Sequence, residues 1–131
     1  DDTVSNCDVS WLNVAEKPVS FSMDLLAMFL ERCVDCHTIQ GHGGLFLTPL
    51  KAYDELVGHP NELSYDDLPR VEPGDPQGSY LVHKVIGCGP EDAVWGYYQA
   101  PMPPPLPDLT PLTHDEVNLI YSWISQGAEN N

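Results

Sequence analysis

Positive charge is scarce in this chain: Lys17, Arg32, Lys51, Arg70 and Lys84 are its five Lys and Arg, against 20 Asp and Glu, for a formal charge of −15. Scattered cations cannot neutralise a run of phosphates, so nucleic acid is excluded as a partner. The same imbalance steers a protein towards basic partners, with association slowing as salt rises. It also serves solubility alone. Long apolar runs are missing too. No stretch approaches the roughly 20 apolar residues that cross a bilayer, and Asp1-Asp2 stand where a leader would carry a basic segment and then an apolar one. A mature protein without a membrane span is expected, its signal peptide or lipid anchor cut off or omitted.

What is present fits one compact domain: 131 residues, 42% of them hydrophobic, with three Trp, six Tyr and three Phe. The 13 Pro and 10 Gly point to many turns and long irregular connections. A large apolar cofactor at the centre would organise such a chain.

The stretch Cys33-Val34-Asp35-Cys36-His37 supplies that cofactor. Two thiols one helical turn apart, followed by an imidazole, form a c-type haem attachment site. Spacing explains the chemistry: Cys33 and Cys36 share one face of a short helical segment, each sulfur adds to a porphyrin vinyl group, and His37 reaches the iron as proximal ligand. Zinc binding and thiol exchange are the rival uses of Cys-x-x-Cys. Attachment of this type takes place outside the cytoplasm in bacteria, so a periplasmic or otherwise extracytoplasmic location is expected.

Residues 1–20 have little periodicity and read as an extended arm, leaving 21–131 as the domain proper. Ser20 or Ser22 caps a helix whose face of Leu25, Leu26, Met28, Phe29 and Leu30 leads into Cys33. Met23 and Met28 are read as core. Gly41, Gly43 and Gly44 let the backbone pass close to a porphyrin edge. A second helix is expected from Pro49 to Val57, stopped by Gly58, with Tyr53, Leu56 and Val57 on one face. Residues 61–70 read as loop. Asp75 caps and Pro76 starts a third helix, with Tyr80, Leu81, Val85 and Ile86 apolar and Gly87 as the stop. From Gly87 to Pro111 the abundance of Gly and Pro argues against regular structure, while Trp95, Tyr97, Tyr98 and Met102 supply bulk. Thr113-His114-Asp115-Glu116 is a capping box that opens a last helix with Val117, Ile120, Tyr121, Trp123 and Ile124 inward and Gly127 as the stop.

Over residues 20–128 this pattern resembles a class I c-type cytochrome, and more narrowly the monohaem cytochrome c domains of planctomycete and marine-bacterial type. The stretches that carry the resemblance are Gly43-Gly44-Leu45-Phe46-Leu47, Pro73-Gly74-Asp75-Pro76-Gln77-Gly78-Ser79-Tyr80-Leu81, Met102-Pro103, Leu112-Thr113-His114-Asp115-Glu116, and Trp123-Ile124-Ser125-Gln126-Gly127-Ala128. The resemblance implies an all-α, cytochrome c-like fold of about four helices around one covalent haem c, with long irregular loops. It also implies that the first and last helices cross, that Phe29 sits where an aromatic meets the last helix, that His and Met occupy opposite faces of the iron, and that single electrons are passed to a redox partner. The arm with Cys7, the extra Cys88 and the acidic loop from Asn61 to Glu72 depart from the family pattern.

Met102 is the expected distal ligand, because the prolines around it hold the backbone extended and lower the entropy lost on fixing the thioether. Filling an apolar gap is the alternative for any Met. His42, His59, His83 and His114 compete for the sixth position; His59 is the strongest rival, while His83 and His114 read as structural or solvent-facing. Cys7 and Cys88 are left over and would form a disulfide in an oxidising compartment. A zinc site from Cys7, Cys33, Cys36 and Cys88 is the alternative, and it leaves His37 and Met102 without a role. Trp95, Tyr97, Tyr98 and Arg70 are candidate donors to haem propionates; packing is the alternative role for the aromatics and an exposed charge that for Arg70. The leading function is therefore electron transfer by a non-enzyme. A haem-based sensor or peroxidase-like enzyme with a displaceable distal ligand is the alternative, weakened by the absence of an acid-base pair near Met102.

Overall fold

Ser20 is the residue that opens the first helical run. Its backbone is extended, at φ −91° and ψ 129°, and its hydroxyl accepts from the Met23 amide at 3.1 Å. The run enters through a π-helical turn, Phe21–Leu25, closed by the Leu26 amide donating to the Phe21 carbonyl, and continues as α1, Leu26–Arg32. Residues 5–6, 8–32, 51–57, 68–86, 92–94, 97–98 and 112–131 are the described part of this computed structural model, the short strands by their backbone only.

Phe21, Leu25, Met28 and Phe29 are buried on the inner face of this run, whereas Met23 is 80% exposed and Leu30 46%. Both were expected inside. The correction has a simple cause: the run from Phe21 to Leu30 is apolar nearly all round, and a surface helix buries only one stripe.

Helix α2, Ala52–Leu56, buries Ala52 and Leu56 and ends where Val57 turns extended and bridges Val71. Of the helix expected from Pro49, the first residues lie outside the described ones. The third helix starts later than expected. Asp75 caps only a 3-10 turn, Pro76–Gly78, accepting from the Gly78 amide at 3.1 Å. Ser79 then goes extended, and α3 follows at Tyr80–Val85. Ser79 is buried and its hydroxyl ties the turn together, accepting from the Glu72 amide and donating to the Asp75 carbonyl, both at 2.8 Å. Those bonds hold the break.

The last helix, α4, His114–Ser125, keeps both halves of its capping box: the Thr113 hydroxyl accepts from the Glu116 amide and the Glu116 carboxylate from the Thr113 amide. It buries Val117, Ile120, Trp123 and Ile124, and Gly127 stops it at φ 110°, a conformation that costs glycine little. The described residues are thus mainly helical, as expected. One exception is a small sheet in which β1, Ser5–Asn6, pairs parallel with β2, Asp92–Val94, and β2 antiparallel with β3, Tyr97–Tyr98. Two of these strands fall inside the Gly- and Pro-rich segment expected to be irregular. Val94, Tyr97 and Tyr98 favour strands, and that preference is expressed between the prolines.

Aromatic rings join the elements. Phe21 lies 5.2 Å from Trp123 and 5.3 Å from Tyr53, centroid to centroid, and meets Phe29 edge-on at 6.2 Å. Tyr53 also donates its hydroxyl to the Ala128 carbonyl at 2.7 Å, tying α2 to the end of α4. Burial, assisted by Asp54 and Glu129, raises its phenol above the ordinary 10.0. Because the unfolded phenol then loses its proton first, this stabilisation is complete below pH 10.0 and is lost as pH rises through the folded value. Lys84, lowered from the ordinary 10.5 by burial, works in the opposite direction, its contribution growing as pH rises through the folded value and complete above pH 10.5. The difference in melting temperature between the unmodified protein and Tyr53→Phe isolates the phenol. It should be constant near neutrality, where it corresponds to about 1 kcal/mol for the lost hydrogen bond, and shrink above pH 10.0; a gap independent of pH would refute the assignment.

Candidate functional site

Helix α1 ends at Arg32, and Cys33 is the next residue. The end of this helix is fixed: one guanidinium nitrogen of Arg32 donates to both carboxylate oxygens of Glu116, at 2.7 and 2.9 Å. Both side chains are half-buried, which shields the pair from solvent screening. Glu116 is also the capping residue in the first turn of α4, so one carboxylate closes the start of the last helix and holds the end of the first. Phe29, one turn before Cys33, is buried against Phe21, whose ring in turn meets Trp123 of α4.

Cys33, Cys36, His37 and Met102 lie outside the described residues, as do Cys7, Cys88, His42, His59 and Trp95. The other candidates are placed. His83 is buried on α3, with its Nε2 2.7 Å from the Gln77 carbonyl oxygen, a structural position. His114 is exposed at the start of α4 and stacks on Trp11, centroids 3.8 Å apart and planes 2° from parallel. Arg70 is not an exposed charge: it is 4% exposed and donates to the Glu55 carbonyl at 2.7 Å and its carboxylate at 3.3 Å, fastening the segment before α3 to α2. Tyr97 and Tyr98 form β3.

The N-terminal arm is held by a feature that periodicity did not single out. Asn118 and Ser122 of α4 and its C-cap Gln126, spaced by four, offer their side chains to the arm's backbone. Asn118 accepts from the Asn13 amide at 3.0 Å, Ser122 from Ala15 at 2.8 Å and Gln126 from Val19 at 2.8 Å. In return the Gln126 amide donates to the carbonyls of Ala15 and Lys17, and Asn118 to that of Trp11. Asn131 continues the pattern, accepting from the Phe21 amide at 2.8 Å. The polar residues at positions 118, 122 and 126 were the available signal, but what they face is set by residues more than 100 positions away.

Two soft thiols and an imidazole are a donor set suited to covalent haem, and they follow directly on a helix whose end is clamped. Among the described residues no cluster of three or more His, Cys, Asp or Glu could hold a metal ion, and no helix is long and apolar enough to cross a membrane. No family model matches the chain, and no curated protein or solved structure is significantly similar to it.

Proposed function

We infer that this chain is a single-electron carrier with one covalent haem c, in a cytochrome c-like fold and an extracytoplasmic compartment. The observation that carries the reading is Cys33-Val34-Asp35-Cys36-His37 following without a gap on α1, whose last residue is tied to α4 by Glu116. Bound haem supplies a one-electron ferric and ferrous couple. Cys33 and Cys36 would hold the porphyrin through thioether bonds, His37 and Met102 would ligate the iron, and the soft thioether of Met102, which has prolines on both sides in the sequence, would favour the ferrous state and raise the potential. With the iron ligated by the protein's own side chains, the chain would act as a carrier and not as an enzyme. A basic protein is the complementary redox partner for a charge of −15.

Cys7 and Cys88 are proposed to form a disulfide. The proposal rests on the two thiols left over after haem attachment in an oxidising compartment, where a spare pair is normally oxidised.

Intact mass spectrometry of denatured, unreduced, alkylated protein tests both assignments, given maturation by haem-attachment machinery. The expected mass is that of the chain plus one haem, with no alkylated thiol. The bare polypeptide mass would overturn the carrier reading, and two alkyl groups the disulfide. Met102→Ala should then give a ferrous protein that binds carbon monoxide, and a ferric spectrum without the weak red band of sulfur-ligated haem. An unchanged spectrum would transfer the sixth position to another ligand, His59 first.

A further inference from the structure

The outward face of the first helical run is apolar. Met23 is 80% exposed, Leu30 46%, and Ala27 between them is exposed as well. Separated by four and then three residues, they fall on one line along the helix. Asp24 and Glu31 follow Met23 and Leu30 in the sequence, are both exposed, and lie about 100° further round, along one edge of that line. The only Lys or Arg of the run, Arg32, is engaged by Glu116. The face therefore presents an apolar strip with carboxylates beside it.

Single exposed apolar residues are ordinary, whereas an aligned set bordered by like charges is the pattern of a contact surface. We propose that Met23, Ala27 and Leu30, with Asp24 and Glu31, form the docking surface for a basic redox protein that presents a small apolar spot rimmed by Lys or Arg. This rests on the electron-carrier reading, because Leu30 stands three residues before Cys33 in the sequence, which makes the strip the described surface nearest along the chain to the proposed haem attachment residues. The charge of −15 attracts a basic protein from any direction. The strip decides where it stops. Three side chains and a charged edge suit the small interfaces of transient redox encounters, and an unbranched Met adapts to more than one partner surface.

The probe is a basic, mitochondrial-type cytochrome c at low salt, used in two measurements. In the first, the reduced probe is titrated into isotope-labelled protein and backbone amide shifts are mapped. In the second, electron exchange is followed by stopped flow for the unmodified protein, for Met23→Ser/Leu30→Ser/Glu31→Lys, and for Glu72→Lys. The two variants change net charge equally, and every altered side chain is exposed. Shifts should concentrate on residues 23–31. The triple variant should slow exchange about tenfold and Glu72→Lys less than about twofold, with both reacting normally with a small cobalt complex. Equal slowing in the two variants, or shifts centred elsewhere, overturns the surface. So does an unmodified protein that sediments as a dimer while the triple variant does not, since the face would then belong to a second copy. Amide mapping needs no haem. Shifts at 23–31 in a chain that lacks covalent haem would uphold the surface and overturn the carrier, and a haem-bearing chain with shifts elsewhere would do the reverse.

Discussion

Trp123→Ala should bring the protein close to unfolding at room temperature. Its side chain is 1% exposed, its ring meets Phe21 at 5.2 Å and Tyr53 at 6.2 Å, and its indole nitrogen donates to the Glu129 carbonyl at 2.8 Å. Truncation removes the common partner of the first helical run, α2 and the turn after α4. Replacing a buried Trp or Phe by Ala costs about 3–5 kcal/mol, against a usual domain stability of about 5–15 kcal/mol. Urea unfolding followed by circular dichroism measures the loss. Trp123→Phe, which keeps a ring in the cluster, should lose clearly less. If Trp123→Ala unfolds within about 1 kcal/mol of the unmodified protein, below the cost of any buried aromatic truncation, the cluster is not the centre of the core.

Glu116→Ala should be clearly destabilising for a half-buried polar side chain. It removes two functions at once: the capping bond to the Thr113 amide at 2.8 Å and the paired bonds from Arg32 at 2.7 and 2.9 Å. Loss of a helix cap costs about 1 kcal/mol, and hydrogen bonds to a charged group about 1.5–3 kcal/mol, reduced here because both side chains are only half-buried. About 2–3 kcal/mol is the expected total. Arg32→Ala should cost less, since the cap survives, and Glu116→Gln least. A double-mutant cycle on Arg32 and Glu116 should show a coupling of at least about 0.5 kcal/mol. Additive effects would mean that the bonds contribute nothing to stability.

What was legible in the sequence divides by distance along the chain. The capping box at Thr113 and Glu116, the Ser20 cap and the Gly127 stop are decided within a few residues, and each is found where local chemistry puts it. The inner face of α4 was equally plain. Leu30 and Met23 were misplaced because a run that is apolar nearly all round does not announce which stripe will be covered. The strands at residues 92–94 and 97–98 escaped because β2 gains a partner, β1, from the far end of the chain. The same holds at the candidate site. Cys33, Cys36 and His37 are a pattern local in the sequence, while the clamp on the helix that precedes them joins residues 84 positions apart. Local grammar is readable; the identity of a distant partner has to be seen.

The arm laid along α4 has a topological consequence. Its bonds to Asn118, Ser122 and Gln126 join residues 105 to 111 positions apart, so the arm has no place to settle until the other end of the chain has become helical. Loop closure over such a separation is among the larger entropic costs in a domain of this size. Helix side chains here stand in for the edge of a sheet, presenting donors and acceptors at intervals of one turn to a stretch of backbone outside any helix or strand. The stretch from Trp11 to Val19 is therefore a belt whose holes are punched in α4 and its C-cap, and fraying of that one helix would undo the whole of that stretch.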